Sequence, residues 1–402
     1  MQIRKLVQEG DVSIKTGPFG TQLKAAEYLE TGTPVLNVKN IGYGSISSAK
    51  LDYVGTDTVE RLQMHILQEG DIVFGRKGAV DRHAYIDNES AGWIQGSDCI
   101  RLRVITDTIN PRFLSYFFLT NQHKAFMVSM CSHGTTMASL NQKILEQIEF
   151  PYPDRTYQDK VVGILGKLDE RVRVNEKINE NLSAQIEALL LAYLDNEDAL
   201  PVKLGDYLYI KGRIGWKGLK KSEYLPQSGY RIINGETLTQ SGIDWNKAGY
   251  ISEERYVESP EIMLKVGDIL LSKDGTIGKI GYVDSLELPT SVASGIFVIR
   301  NTKPDIISTT FIYYLLKSRL FTSFIAARTE GSVIPHLYQK DFMEFEFPLP
   351  TAEKMADFEE ITEPMFSQII NNLNENKRLV LLRDSLLPKL MSGKLDVSSI
   401  DL

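Results

Sequence analysis

Cysteine is nearly absent from the 402 residues: Cys99 and Cys131 are too few for a disulfide framework or a cysteine-built zinc site. The five histidines, His65, His83, His123, His133 and His336, include no pair at metal-ligand spacing, so no metal site is expected. Long apolar runs are missing as well. The densest stretch, Ala188 to Leu194, falls far short of the roughly 20 residues that a membrane-spanning helix needs. The opening Met1-Gln-Ile-Arg-Lys5 lacks the apolar core of a secretory signal, and the expected location is the cytoplasm. There is no phosphate-cradling loop of the Gly-x-x-x-x-Gly-Lys-Ser/Thr type. Gly275-Thr-Ile-Gly-Lys279 has the wrong spacing and reads as a Gly-rich hairpin. The Asn-Pro-Pro-Tyr/Phe signature of an amino-methyltransferase and the Phe-x-Gly-x-Gly of its methyl donor are also missing, and the acids form no compact nuclease cluster. These absences point to a binding protein and not to an enzyme.

What is present is a duplication. Leu67, Gly70, Asp71, Ile72 and Gly78 recur 197 residues later as Leu264, Gly267, Asp268, Ile269 and Gly275. Gly32 and Asn37 recur as Gly229 and Asn234, and Gly134, Leu140 and Lys143 as Gly331, Leu337 and Lys340. Phe150-Pro-Tyr-Pro153 answers Phe347-Pro-Leu-Pro350, and the same register carries Asn175 and Asn179 onto Asn372 and Asn376. Only the start is strained, where Ile14-Lys15 maps to Ile210-Lys211 at an offset of 196, so the loop there is free to vary in length. A fixed long period signals repeated architecture.

Each copy has two parts. Residues 1–153 and 201–350 hold short β-type runs and one predicted helix each, near Pro111 to Asn121 and Ser308 to Ser318. Residues 154–200 and 351–402 read as a long helix, with a C-terminal tail in the second copy. Leu168, Asn175, Leu182 and Leu189 are spaced by sevens, as are Val172, Asn179, Ile186 and Tyr193. The second copy repeats the stripe with Met365, Asn372, Leu379 and Leu386 beside Ile369, Asn376 and Arg383. Such a heptad stripe predicts that the two helices pair. The matched polar positions predict an antiparallel coiled coil in which Asn175 and Asn179 approach Asn376 and Asn372, under pseudo-two-fold symmetry. Pro364 and Pro388 are expected to start, kink or end the second helix.

The formal charge of −7 argues against a nucleic-acid partner only until it is divided. Residues 1–153 and 201–350 carry net −1 and +1, whereas 154–200 and 351–402 carry −4 and −3. The acidity sits on the helices. Within the globular parts cations cluster: Lys211, Arg213, Lys217, Lys220 and Lys221 surround Trp216 without an intervening acid, and Arg76-Lys77 precedes Arg82 in the first copy. Cations of this kind contact phosphates, and Arg, Lys and Asn read base edges.

With this arrangement the chain resembles the specificity (S) subunit of type I restriction-modification systems. The resemblance rests on the doubled unit and on strings running the length of the chain. They are Thr16-Gly-Pro-Phe-Gly-Thr-Gln-Leu23, Gly70-Asp-Ile-Val-Phe74, Gly212-Arg-Ile-Gly-Trp-Lys-Gly-Leu219, Gly267-Asp-Ile-Leu-Leu271 and Leu386-Leu-Pro-Lys-Leu-Met-Ser-Gly393. It implies an α+β fold of two target recognition domains, each followed by a long spacer helix. Each domain would read one half of an asymmetric bipartite DNA site, with two methyltransferase subunits docked on the chain and motor-nuclease subunits joining them. S-adenosylmethionine, ATP and magnesium would belong to those partners, and no cofactor to this chain.

Candidate DNA contacts in the first copy are Lys15, Phe19, Lys39, Asn40, Arg76, Lys77, Arg82, Thr135 and Thr136. In the second they are Lys211, Arg213, Trp216, Lys217, Asn234, Lys273, Thr276, Lys279, Arg328 and Ser332. Phe19 and Trp216 equally suit packing of their own loops. Two other readings stand beside this one: a free-standing nucleic-acid adaptor whose coiled coil only dimerises, and an enzyme with an unrecognised site.

Overall fold

The computed structural model describes the chain except residues 20, 49, 132–137, 196–197, 214–217, 240–241, 330–335, 396 and 398–402. The chain forms two compact units, Met1–Arg173 with Asn376–Leu402, and Val174–Glu375. Each unit therefore holds one globular part and one half of each long helix.

In the first unit a four-stranded antiparallel sheet runs in the order Val12–Thr16, Cys99–Val104, Ile72–Gly75, His83–Tyr85. A second sheet orders Tyr28–Leu29, Asp52–Val54, Thr33–Leu36 and Ile94–Gln95, the last pair parallel. The second unit repeats the first sheet with Leu208–Gly212, Ile296–Asn301, Ile269–Ser272 and Ile280–Tyr282. Its other main sheet is Gly249–Ile251, Tyr230–Ile233 and Thr290–Val292, again closing on a parallel pair. The Gly-rich segment 273–279 turns between two antiparallel strands, as a hairpin should.

Where one helix is expected per copy, two form: Pro111–Phe118 and Asn121–Cys131, then Thr309–Lys317 and Arg319–Thr329. The first of each pair is capped by a side chain. Asn110 accepts from the Arg112 and Phe113 amides, and Ser308 from the Phe311 amide. Such caps satisfy helix-end donors that have no partner within the helix. The apolar faces that follow, Phe113, Leu114, Phe117 and Phe118 in one copy and Phe311, Ile312, Leu315 and Leu316 in the other, enter the core of each unit.

The repeated Gly-Asp turn explains itself in three dimensions. Gly70 (φ 86°) and Gly267 (φ 93°) take the left-handed conformation that only glycine adopts cheaply. The next residue, Asp71 or Asp268, is buried and forms a two-pronged ion pair. Asp71 accepts from Arg103 at 2.6 and 2.7 Å, and Asp268 from Arg300 at 2.6 Å twice. Each carboxylate also accepts a backbone amide, from Gln68 or Lys265, at 2.7 Å. The ion pair ties the start of one core strand to the end of its neighbour.

The long helices are Arg155–Leu194 and Ala352–Met391, of 40 residues each, or about 60 Å at 1.5 Å per residue. They pack antiparallel within each unit. In the first unit the Tyr157 hydroxyl donates to the Leu390 carbonyl at 2.8 Å, and Arg383 pairs with Asp169 at 3.0 Å. In the second, Asn372 donates to Asn179 at 2.8 Å and Tyr193 meets Phe358 edge to face. Asn175 donates instead to Glu375, and Asn376 to the Val172 carbonyl. Pro364 does not break the second helix, contrary to expectation, and Pro388 lies within its last turn. One proline deletes a single helical donor at a cost of about 3 kcal/mol, and the apolar cluster holding Met355, Phe358, Phe366 and Ile369 on either side of Pro364 offsets it.

Candidate nucleic-acid interface

Antiparallel pairing brings alternate strand ends to one edge of the first sheet. In the first unit the loops after Thr16 and Gly75 and those before His83 and Cys99 meet there. The Gly17 amide donates to the Cys99 carbonyl at 2.8 Å and the Arg76 amide to the Asp98 carbonyl at 2.8 Å. Gly17 allows this closeness, because a Cβ on it would lie 2.0 Å from the Gly96 oxygen. Segment 138–140 joins the group through Gly78 to Ala138 and Leu140 to Arg76 bonds of 3.1 and 2.8 Å. The second unit repeats the design: the Lys273 amide donates to Gly295 at 2.9 Å and the Leu337 amide to Lys273 at 3.0 Å. The Asp274 carboxylate also contacts the His336 ring.

Several first-copy candidates gather at this edge. Phe19 is 67% exposed on the loop after the first strand, which excludes a purely packing role. Lys15 stands half-buried directly opposite Arg101 across the strand pair. Burial, then the charges of Arg101 and Arg103, push its ammonium pKa down. Lys77 is exposed and 3.4 Å from Asp98, and Lys39 is ion-paired with Asp52 at 2.7 Å. The buried Arg76 Nε has no hydrogen-bond partner among the described residues. Arg82 is exposed over the Tyr43 ring, 5.3 Å from its centroid.

In the second copy, Lys211 lies beside the Tyr209 ring and Lys273 beside Phe297. Thr276 is exposed at the hairpin tip. Lys279 donates to the Gly235 carbonyl at 3.0 Å, and Arg328 lies over Phe324, 3.7 Å from the ring centre. Thr135, Thr136, Trp216, Lys217 and Ser332 lie outside the described residues.

Two candidates are corrected. Arg213 is 3% exposed, and its guanidinium donates inward to the Val292 carbonyl at 3.1 Å and to Ser259 and Ser291. Burial lowers its pKa, and it fastens the root of the basic loop to the sheet instead of facing outward. Asn40 is fully buried, with its amide donating to the Ser47 carbonyl at 3.0 Å. Asn234 is also engaged locally. Its side-chain oxygen accepts from the Glu236 and Thr237 amides at 2.9 and 3.1 Å, shaping a turn.

Sequence reasoning missed Tyr43 and Lys124. The exposed Tyr43 ring lies within cation–π reach of Arg82 and of Lys124, the latter at 4.5 Å, and its hydroxyl donates to Asp81 at 2.8 Å. Residues 43, 82 and 124 are far apart in the chain, and no local pattern connects them. Among the described residues, no group of three or more His, Cys, Asp and Glu side chains is set to hold a metal ion. No helix among them is long and apolar enough to cross a membrane.

Doubled α+β units with paired long helices and loop-edge basic and aromatic side chains define a class of modular recognition proteins. The model of the type I restriction modification DNA specificity domain matches the chain twice, at residues 9–184 and 196–381. The chain belongs to the family of type I restriction enzyme specificity subunits. It is 22% identical to the MjaIX specificity subunit of Methanocaldococcus jannaschii, over 99% of this chain and 94% of that one. It is 20% identical to the HindI specificity subunit of Haemophilus influenzae, over 89% and 94%. Its fold is similar to the crystal structure of a type I restriction-modification S subunit from M. genitalium, with TM-score 0.55 and 18% identity, over 99% and 96% of the two chains.

Proposed function

We propose that this chain is the DNA-reading, non-catalytic member of a type I restriction-modification complex, each unit reading one half of a bipartite site. The observation that carries this reading is the doubled specificity domain in which each copy gathers loops bearing cationic and aromatic side chains at one sheet edge. Guanidinium and ammonium groups there meet phosphates, and the loops between them face base edges. The two edges carry different residues, Arg76-Lys77 in one and Lys273-Asp274 in the other, so the half-sites differ and the target is asymmetric. The paired long helices set the gap between half-sites and dock two methyltransferase subunits, and motor-nuclease subunits complete the complex. S-adenosylmethionine, ATP and magnesium are bound by those partners, and the assembly works in the cytoplasm.

The test is co-expression with the cognate methyltransferase subunit, followed by mapping of methylated bases on plasmid DNA. Two different half-sites at a fixed gap are expected, and methylation should vanish when this chain is omitted. A single contiguous site, or methylation without the chain, would overturn the reading and favour a free-standing adaptor.

A further inference from the structure

The two helix junctions are equivalent by repeat but chemically unlike. In the first unit Asp169 collects three donors: the Tyr116 hydroxyl at 2.7 Å, Arg112 at 3.1 Å and Arg383 at 3.0 Å. Arg112 is further held against the rings of Tyr85 and Tyr116, 4.5 and 4.9 Å from their centres. Only about a fifth to a quarter of each charged side chain is exposed, so water screens this hub weakly. In the repeat frame Asp169 corresponds to Phe366, Arg112 to Thr309 and Arg383 to Ile186, while Tyr85 and Tyr116 correspond to Tyr282 and Tyr313. The second unit accordingly builds an aromatic cluster. Phe366 is edge-on to Tyr282 at 5.0 Å, lies 5.3 Å from Tyr313 and shares one apolar core with the fully buried Ile186.

We infer that these junctions form a pairing code by which each copy's helix accepts the other copy's helix and rejects its own kind. Two first-copy helices paired in the same antiparallel register would set Ile186 against Asp169, leaving the carboxylate without one of its two guanidinium partners. Two second-copy helices would push Arg383 into the ring cluster around Phe366, where no carboxylate takes the place of Asp169. Removing one member of a buried ion pair costs far more than the pair itself contributes. Both like-with-like pairings are therefore penalised, whatever the recognition units bind. A duplicated chain needs such a device, because its two helices still share a heptad frame in which Asn175, Leu182 and Leu189 match Asn372, Leu379 and Leu386.

The test begins with the intact folded chain carrying a protease site inserted after the exposed Asp198. After cleavage it is mixed with isotope-labelled cleaved protein in mild urea until label has scrambled among the pairs, and native mass spectrometry then counts them. Pairs of one first-half and one second-half fragment are expected to exceed like pairs by roughly a hundred-fold or more, the factor implied by one broken buried ion pair. Comparable amounts of like pairs would overturn the inference. The double variant Ile186→Arg with Arg383→Ile exchanges the two keys, and after cleavage it should re-sort towards like pairs. Persistence of mixed pairs in that folded variant would also overturn it. Should the variant fail to fold, the unsubstituted sample decides alone.

Discussion

Replacing Asp71 with alanine removes a carboxylate that is wholly buried and holds Arg103 by two bonds of 2.6 and 2.7 Å. The Gln68 amide at 2.7 Å also loses its acceptor. Breaking a buried pair by deleting one partner costs about 3–5 kcal/mol. Arg103 retains 23% side-chain exposure, so water recovers part of its hydration and the lower end, about 3 kcal/mol, is the expectation. Asp268 and Arg300 repeat the geometry, with 1% and 27% side-chain exposure, and Asp268→Ala should cost the second unit a similar amount. The assay is urea unfolding followed by hydrogen exchange, which assigns the lost protection to one unit or the other. Each substitution should lower protection chiefly in its own unit. A loss below about 1 kcal/mol for both variants, the range of a surface pair, would refute the view that the Gly-Asp turn is a structural clamp.

Three further outcomes follow from the same geometry. Arg82→Ala and Lys124→Ala should each weaken DNA binding by the assembled complex and lower the slope of log K against log salt by about 1, if each contacts one phosphate; an unchanged slope would remove them from the interface. Arg213→Ala should destabilise the second unit without changing which bases are read, because its guanidinium is spent on Val292, Ser259 and Ser291; an altered methylation pattern with unchanged stability would reverse that assignment. Acid should weaken the first unit selectively. Burial pushes the His123 ring down to about 3 and His83 well below the ordinary range, while the repeat places Leu320 and Ile280 at these positions. The unfolded chain takes up the protons first, so stability is intact above about pH 6.5 and falls as pH drops below it, by about 1.4 kcal/mol per unit per histidine. Equal acid sensitivity of both units by hydrogen exchange at pH 7 and pH 5.5 would contradict this.

Much of the molecule was legible before any coordinates. The duplication, the α+β alternation of short strands and helices, the two long heptad helices and the family resemblance all rest on periodicity and spacing, which local sequence expresses directly. A seven-residue stripe dictates which face of a helix is apolar whatever it packs against, and a left-handed glycine marks its turn without outside help. The split of charge between helices and globular parts was equally readable.

Tertiary structure alone decided which cations face outward and which are consumed inside. Arg213 and Arg82 look alike as letters beside glycines, yet one is clamped beneath the sheet edge and the other lies over Tyr43. Pro364 reads as a helix breaker, but packing on both sides of it carries the helix through. The partners of Asp71, Asp169 and Tyr43 lie 32 residues or more away, at Arg103, at Arg112 and Arg383, and at Arg82 and Lys124. Such pairings depend on how strands register and how helices meet, because a buried charge must find its counter-charge in space. Spacing along the chain therefore reveals the repeat, while the folded contacts determine where its two copies have ceased to be interchangeable.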